Sequence, residues 1–307
     1  MKTARLAGLI LVAIGLIVAP SASGAAPDDA RGSIVVGGVT RTYAYHVPTS
    51  VSQHPALVLM FHGHYMTGEG QSKLTHFDVQ SDKDGFIVVY PDGINRGWND
   101  GRTLDKGHDD IGFAGALIDR FAQRYHVDLK RVYATGFSNG GTFTQYLGCN
   151  LSGRIAAIAP VSGSLPSDIA PSCHPKRPMP ILEIAGSKDP LVPYGGGQIH
   201  LLGVTRGSVI SAQQTIAFWA KNARCAATKV NRWVAPPVVP SDGTSVAVQA
   251  YSGCANGAEV QLYTVNGGGH TWPDGPQYLP AFVVGKASNQ LNASETIARF
   301  LLTKRLP

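Results

Sequence analysis

The sequence predicts an α/β protein in which a mostly parallel central sheet carries helices on both faces. The continuously apolar runs 56–61 and 86–90 are typical of strands buried on both faces of a parallel sheet. Apolar residues at helical spacing over 109–125 predict a helix that packs on such a sheet by one face. Because strand and helix patterns alternate along the chain, we expect βαβ units.

The other elements continue this alternation after a polar linker at 27–30. Further strands are expected at 33–36, 41–47, 131–135, 155–160, 179–184, 229–234, 246–251 and 259–265. Further helices are expected at 77–83, 142–147, 209–223 and 292–304, and a loop at 94–108. The chain has 307 residues, 44% of them hydrophobic, without an internal repeat or an interdomain linker. We therefore expect residues 26–307 to form a single domain.

Residues 1–25 predict a cleaved signal peptide. Lys2 and Arg5 precede an apolar run over 6–19, and small residues follow at 21–26. The apolar run is shorter than the roughly 20 residues that a membrane-spanning helix needs. No cysteine is present at the cleavage point to carry a lipid. We expect a secreted, extracellular protein without a stable membrane anchor.

The positive charge of the chain is spread thinly. The formal net charge is +6, yet Lys and Arg residues cluster only in pairs such as Lys176 and Arg177. Nucleic-acid binding normally needs a clustered basic patch, so we expect no nucleic-acid partner. The oligomeric state cannot be inferred from this pattern.

Four cysteines in an exported chain predict two disulfides. Three pairings are possible, and we favour Cys149 with Cys173 and Cys225 with Cys254. Each bond would close a loop of about 25–30 residues and stabilise the fold by roughly 3 kcal/mol through chain entropy. The chain contains no C-x-x-C, so a redox or zinc site is not expected.

Residues 136–140 form the chain's single G-x-S-x-G match, the pattern of a nucleophile elbow. A serine held on a sharp strand-to-helix turn needs small neighbours, because larger side chains would collide with the turn. An apolar strand pattern precedes Ser138 and a helical pattern follows it. Ser138 is therefore the candidate nucleophile, although such pentapeptides also arise by chance in a chain with 36 glycines.

A serine nucleophile needs an imidazole base, and three histidines follow Ser138 in the chain. His270 comes directly after a predicted strand, in a glycine-rich segment that can bend back over the sheet. His174 lies beside a cysteine and prolines, and His200 precedes an apolar pair, so both are interpreted as structural. His270 is the candidate base.

The third residue of a serine catalytic triad is a carboxylate, which in this arrangement lies between the serine and the histidine in sequence. Asp189 follows a buried strand and fits this order, although an aspartate before proline is also common in turns. Asp168, Asp242 and Glu259 compete, but none directly follows a buried strand. We predict Asp189 as the residue that orients the imidazole.

Acyl transfer also requires an oxyanion hole. One donor is expected to be the backbone N–H of Asn139, and the other that of His64, with Gly63 as the alternative. His62 and His64 could instead form a metal pair, but no third ligand stands at a suitable spacing. We expect neither a metal nor another cofactor.

Several linked motifs resemble one family of enzymes over residues 33–307. They are FHG at 61–63, YPDG at 90–93, Trp98, DDIGF at 109–113, RVYATGFSNGG at 131–141 and GGHTWP at 268–273. Together they resemble the secreted polyhydroxybutyrate-depolymerase-like esterases, which are grouped with feruloyl and acetylxylan esterases of the carbohydrate esterase type. The resemblance implies an α/β-hydrolase fold, carboxylic-ester substrates and a triad of Ser138, Asp189 and His270. It also implies that Asp110 supports the elbow structurally.

We therefore expect a secreted serine esterase that acts on short hydroxyalkanoate oligomers or on feruloyl or acetyl esters of plant polysaccharide. The chain shows no polymer-binding domain behind a linker, which favours oligomers or soluble esters over crystalline polyester. Tyr65, Trp98 and Trp272 are candidates for an aromatic substrate cleft, although buried tryptophans are as often part of a core. A serine peptidase or amidase, and a binding protein that retains the fold, remain the alternatives.

Overall fold

The computed structural model describes residues 28–102, 107–201, 203–226, 230–236, 238 and 242–307. The signal peptide predicted at 1–25 lies outside the described residues. The strands are β1 (Asp28–Val36), β2 (Val39–Val47), β3 (Leu57–Phe61), β4 (Ile87–Pro91), β5 (Val132–Phe137), β6 (Ala157–Val161), β7 (Ile181–Gly186), β8 (Gly197–Leu201), β9 (Val204–Val209), β10 (Val230–Val234), β11 (Ser245–Tyr251) and β12 (Val260–Asn266). The helices are α1 (Gly68–Thr75), α2 (Phe77–Asp84), α3 (Asp110–Tyr125), α4 (Asn139–Asn150), α5 (Ala212–Asn222), α6 (Ala281–Val284) and α7 (Ala293–Leu302).

The described strands form a ten-stranded sheet in the order β1-β2-β4-β3-β5-β6-β7-β12-β11-β10, and a separate hairpin of β8 and β9. Strands β4, β3, β5, β6, β7 and β12 run parallel, and antiparallel strands complete both edges. Every residue of β3 through β7 is buried. This confirms the predicted mostly parallel sheet, since continuous apolar runs belong to strands covered on both faces.

Helices cover both faces of the sheet. Helices α3, α4 and α5 pack on one face and α1, α2 and α7 on the other, each through its own apolar cluster. Side chains alternate between the clusters along a strand: Leu57 and Leu59 of β3 belong to the first, and Val58 and Met60 to the second. A strand that contributes to two cores presents apolar side chains on both faces, which is why β3 is an unbroken apolar run in the sequence.

Three elements differ from the sequence-based expectation. Strand β1 begins at Asp28, within the expected polar linker, because it pairs with the whole of β2. Helix α1 occupies a stretch for which no helix was predicted, because its glycines hide the helical pattern; Thr67 caps it by accepting the N–H of Gly70. The β8–β9 hairpin lies in a stretch without a clear period, and its strands are largely exposed.

The structure pairs the cysteines as favoured from the sequence. Cys149, near the end of α4, bonds to Cys173, and Cys225, just after α5, bonds to Cys254. Both bonds therefore attach a helix to a loop on the same side of the sheet. Within the described residues, none of the helices combines the length and the apolar character of a membrane span.

Candidate active site

The turn from β5 to α4 holds Ser138 in strained backbone. Its φ of 57° and ψ of −120° lie in a region that residues with a side chain seldom adopt. The N–H of Ser138 donates to the carbonyl oxygen of Val161 on the neighbouring strand β6, at 2.9 Å. Its carbonyl accepts the N–H of Thr142 at 2.9 Å and so opens the helix. The backbone on both sides of the serine is thus fixed, while its side chain remains accessible.

Glycine is required on both sides of the serine for a steric reason. A Cβ at Gly136 would lie 2.5 Å from the carbonyl oxygen of Gly140, and one at Gly140 would lie 2.1 Å from that of Phe61. Backbone atoms cannot yield as a flexible side chain can. The two flanking glycines of the motif therefore let the elbow pass close over strand β3, as the sequence predicts.

Asp189 and His270 meet at the carboxyl edge of the sheet, where β7 and β12 run side by side. The Nδ1 of His270 lies 2.7 Å from Oδ2 of Asp189, and both side chains are only 2% exposed. The other carboxylate oxygen accepts the backbone N–H groups of Leu191 and Val192, each at 2.8 Å. Because three donors surround the carboxylate, its position against the imidazole is fixed.

The loops that carry these two residues are bound to each other. The N–H of Lys188 donates to the carbonyl of Gly268 at 2.9 Å, and a Cβ at Gly186 would lie 2.3 Å from the carbonyl oxygen of Gly269. The ring of Phe137, the residue before the nucleophile, lies 4.9 Å from the ring of His270, measured between centroids. This contact places the imidazole beside the elbow.

The loop after β3 crosses the elbow where an oxyanion hole is expected. Gly63 lies close to the elbow: a Cβ added at Gly63 would be 3.4 Å from the Cβ of Ser138. The N–H of Tyr65 donates to the carbonyl of Arg96 at 2.8 Å, so it is already engaged within the protein. The N–H of Asn139 belongs to the first turn of α4, where backbone donors lack intrahelical partners. His64 and Asn139 therefore remain the candidate donors.

The neutral imidazole of His62 fixes the position of this loop through two hydrogen bonds. Its Nδ1–H donates to the carbonyl of Gly63 at 2.8 Å, and its Nε2 accepts the N–H of Gly93 at 2.9 Å. Burial lowers the pKa of His62 to about 4, because a charged imidazole is poorly solvated there. Both ring nitrogens are thus occupied, which leaves neither for a metal. The described residues contain no cluster of His, Cys, Asp and Glu suited to a metal ion.

A buried polar network joins the 94–102 loop to the elbow helix, and sequence reasoning missed it. The amide of Asn139 accepts the N–H of Trp98 at 2.7 Å and donates to Asp100 at 2.9 Å. Thr142 donates to the same carboxylate at 2.6 Å, and Arg102 pairs with it through two nitrogens. The only local signal was a polar loop with several Gly, Asp and Asn residues, which does not reveal a buried ion pair.

A second buried carboxylate lies behind the elbow helix. Glu183 on β7 is fully buried and accepts hydrogen bonds from Ser164 at 2.7 Å and from Gln145 at 3.5 Å. Burial raises its pKa to about 8, because few donors compensate for the loss of water. The side chain of Gln145 also accepts the indole N–H of Trp219, at 2.6 Å. This network connects α4, β7 and α5.

Of the three residues predicted to line a cleft, two are buried and one is exposed. Trp98 and Trp272 are 0% and 1% exposed, so they offer no ring surface to a substrate. Trp98 stacks on Phe143 and donates its indole N–H to the carbonyl of His62. The aromatic character that suggested a cleft instead serves the core. Tyr65 is 47% exposed and lies on the loop that crosses the elbow.

The competing candidates are exposed or are engaged elsewhere. His174, His200 and Asp168 are exposed. Glu259 pairs with Lys304 at 2.6 Å, and Asp242 caps the start of the β11 segment by accepting from Thr244. Asp110 forms a buried ion pair with Arg41 at 2.5 Å and accepts the N–H of Asn99, so it connects the start of α3 to β2 and to the 94–102 loop.

A small pocket of about 30 Å³ opens beside the nucleophile. Its lining combines the elbow, the loop after β3 and the β8–β9 hairpin. The residues are His64, Arg102, Ser138, Asn139, Thr142, Val192, Ile199, Leu201 and Arg206. Part of the pocket wall thus comes from the hairpin, which the sequence did not predict.

Comparison with known proteins relates the chain to esterases. Residues 44–200, about half of the chain, match the model of the phospholipase/carboxylesterase family. NocK of Nocardia uniformis subsp. tsuyamanensis, provisionally named an esterase, is 32% identical over 88% of this chain and 81% of its own length. Feruloyl esterase B of Piromyces equi is 34% identical over 62% of this chain, which spans only 35% of that protein.

A solved structure supports the fold. The acetyl xylan esterase from Aspergillus awamori superposes with a TM-score of 0.56 at 16% identity, over 79% of this chain and 94% of that one. At this identity the likeness concerns the α/β-hydrolase fold alone. Taken with the sequence matches, the chain is a carboxylic ester hydrolase that belongs to the phospholipase/carboxylesterase family.

Proposed function

We propose that this esterase hydrolyses esters of short acyl groups through an acyl-enzyme on Ser138. The observation that carries the proposal is the bond between His270 and Asp189 beside a strained serine elbow. A carboxylate that accepts the Nδ1–H of the imidazole leaves Nε2 unprotonated and able to accept the hydroxyl proton. In this arrangement Asp189 orients His270, and His270 activates Ser138.

The proposed reaction has two steps. The Oγ of Ser138 attacks the ester carbonyl while its proton passes to His270, and the N–H groups of Asn139 and His64 stabilise the oxyanion. The bond to the alcohol breaks as His270 returns the proton to the leaving oxygen. A water molecule then attacks the acyl-enzyme in the same way and releases the acid. No cofactor takes part in these steps.

The size of the pocket supports a short acyl group. About 30 Å³ corresponds to the space of two or three water molecules. An acetyl group fits this space better than a feruloyl group. The names of related proteins, feruloyl esterase and acetylxylan esterase, supply two candidate substrate classes, and the sequence motifs add hydroxyalkanoate oligomers.

The two disulfides support an extracellular location, since such bonds persist in oxidising compartments. Together with the signal-peptide pattern at 1–25, they suggest export. Mass spectrometry of protein recovered from a culture supernatant would reveal the cleaved N-terminus. Retention of the full-length chain in the cell would contradict export.

The mechanism is tested by comparing Ser138→Ala with the exposed control Ser172→Ala on p-nitrophenyl acetate and butyrate. We expect Ser138→Ala to lose turnover to near the uncatalysed rate while Ser172→Ala retains it. Equal turnover by both variants would refute the role of Ser138. Matched anilides then separate an esterase from an amidase, and acetylated xylan fragments, methyl ferulate and hydroxybutyrate dimers rank the acyl groups. A protein that binds these esters without turning them over would be a binding protein.

A further inference from the structure

The pocket beside Ser138 has a basic wall that the proposed mechanism does not use. Two arginines contribute to it: Arg102 from the polar network and Arg206 from strand β9. A cation beside a nucleophile is costly to bury unless a partner meets its charge. The two arginines differ in this respect.

The charge of Arg102 is met within the protein. Its Nε lies 2.9 Å and 3.0 Å from the two oxygens of Asp100, and its Nη2 lies 2.5 Å from Oδ2. Another nitrogen of the guanidinium donates to the backbone carbonyl of Arg206. Arg102 therefore serves to hold strand β9 against the elbow.

Among the described residues, the charge of Arg206 has no carboxylate partner. Its Nη2 donates to the hydroxyl of Tyr65 at 2.9 Å, which is a neutral acceptor. Its Nε is buried without a hydrogen-bond partner among the described residues. None of the ion pairs formed by these residues includes Arg206. An unsatisfied buried donor on a cation leaves room for a further acceptor, such as a water molecule or a bound anion.

The lining of the pocket favours the acyl side of the nucleophile over the side of the leaving alcohol. In the proposed reaction the leaving alcohol must be next to His270, which protonates it. The pocket is lined by Ser138, Asn139 and Thr142 of the elbow helix, and His270 is not among its lining residues. A group in contact with Arg206 is therefore attached to the acid part of the ester.

We propose that Arg206 binds a carboxylate at the far end of the acyl group, so that half-esters of short dicarboxylic acids are preferred substrates. A guanidinium matches a carboxylate in charge and in the geometry of its donors. Because Ser138 and Arg206 line the same small pocket, the acyl chain between the ester and the carboxylate must be short, as in malonyl and succinyl groups. Tyr65, which accepts a hydrogen bond from Arg206, is 47% exposed, so a carboxylate bound to Arg206 lies near the surface and keeps contact with water. This inference rests on the proposed function and specifies its substrate class.

The test uses monoethyl succinate and the neutral ethyl 4-oxopentanoate, whose acyl chain is similar in length, with hydrolysis followed by pH-stat titration. Wild-type protein is compared with Arg206→Gln, Arg206→Lys and the control Arg232→Gln, which removes an exposed arginine of edge strand β10. We expect Arg206→Gln to lower the ratio of kcat/KM for the charged over the neutral ester about tenfold or more. Arg206→Lys should restore part of the ratio, and Arg232→Gln should leave it unchanged.

An unchanged ratio in Arg206→Gln, or an equal fall in Arg232→Gln, would overturn the proposal. If Arg206→Gln does not fold, wild-type protein still decides the question, because KCl should lower the ratio by screening the guanidinium. A ratio near one in the wild type that KCl does not change would contradict a carboxylate site. Failure of the proposed function is distinct, because neither ester would then be hydrolysed above the Ser138→Ala background.

Discussion

Replacing Asp189 with Asn tests the arrangement of the site at a single atom. The side-chain oxygen of Asn can keep the N–H groups of Leu191 and Val192, which lie 2.8 Å from Oδ1 of Asp189. The amide nitrogen would then occupy the position of Oδ2, 2.7 Å from Nδ1 of His270. Because this nitrogen donates, Nδ1 of the imidazole must accept, and the ring proton moves to Nε2.

An imidazole protonated at Nε2 cannot take the proton of Ser138. Loss of the correct tautomer in a serine triad lowers kcat by about 10⁴. At about 1.4 kcal/mol for each tenfold change, this corresponds to roughly 5.5 kcal/mol of transition-state stabilisation. The cost in folding should be smaller, about 1–3 kcal/mol, because one charge-assisted hydrogen bond is lost and two backbone bonds are kept.

The assay is kcat on p-nitrophenyl acetate, with the melting temperature measured on the same samples. Asp168→Asn is the matched control, because Asp168 is an exposed carboxylate that also lies between Ser138 and His270 in sequence. We expect the control to retain activity. A folded Asp189→Asn protein that loses less than about tenfold in kcat would refute this reasoning, as would an equal loss in the control.

Three further changes test the elbow, the buried carboxylate and a disulfide. Gly140→Ala should abolish esterase activity and lower the free energy of unfolding by about 1–3 kcal/mol, since its Cβ would overlap backbone. The control Gly153→Ala, whose Cβ would enter open space, should change neither quantity. Kinetics measure the activity and urea denaturation measures the free energy of unfolding. Glu183→Gln should raise the melting temperature more at pH 8 than at pH 5. Because the pKa of Glu183 is raised, the folded state keeps the proton of this carboxyl between pH 4.5 and about 8, whereas the unfolded state loses it. The stability of the wild type therefore falls as pH rises through this range. A variant whose melting temperature followed the same pH profile as the wild type would contradict this. Replacing Cys149 and Cys173 together with Ser should cost roughly 3 kcal/mol of unfolding free energy, and an unchanged urea midpoint would argue against a stabilising bond.

The central sheet and the elbow could be predicted from the sequence because their signals are local. A strand between two helical layers is apolar at most positions, and β3 and β4 show this directly in the sequence. The glycines at 136 and 140 mark a turn that backbone atoms crowd on both sides. The order of Ser138, Asp189 and His270 along the chain follows from parallel strands that present their carboxyl ends at one edge.

The wall of the pocket could be known only from the tertiary structure. Arg102 and Arg206 are 104 residues apart, and the bond between them depends on how a loop and a hairpin pack over the elbow. The roles of Trp98 and Trp272 also depended on the tertiary structure, because composition does not distinguish a ring that lines a cleft from one that fills a core. Periodicity reports which face of an element is buried, whereas contacts between loops depend on the packed fold. The sequence by itself therefore determined the sheet, the elbow and the candidate triad, and the packing of loops decided what surrounds them.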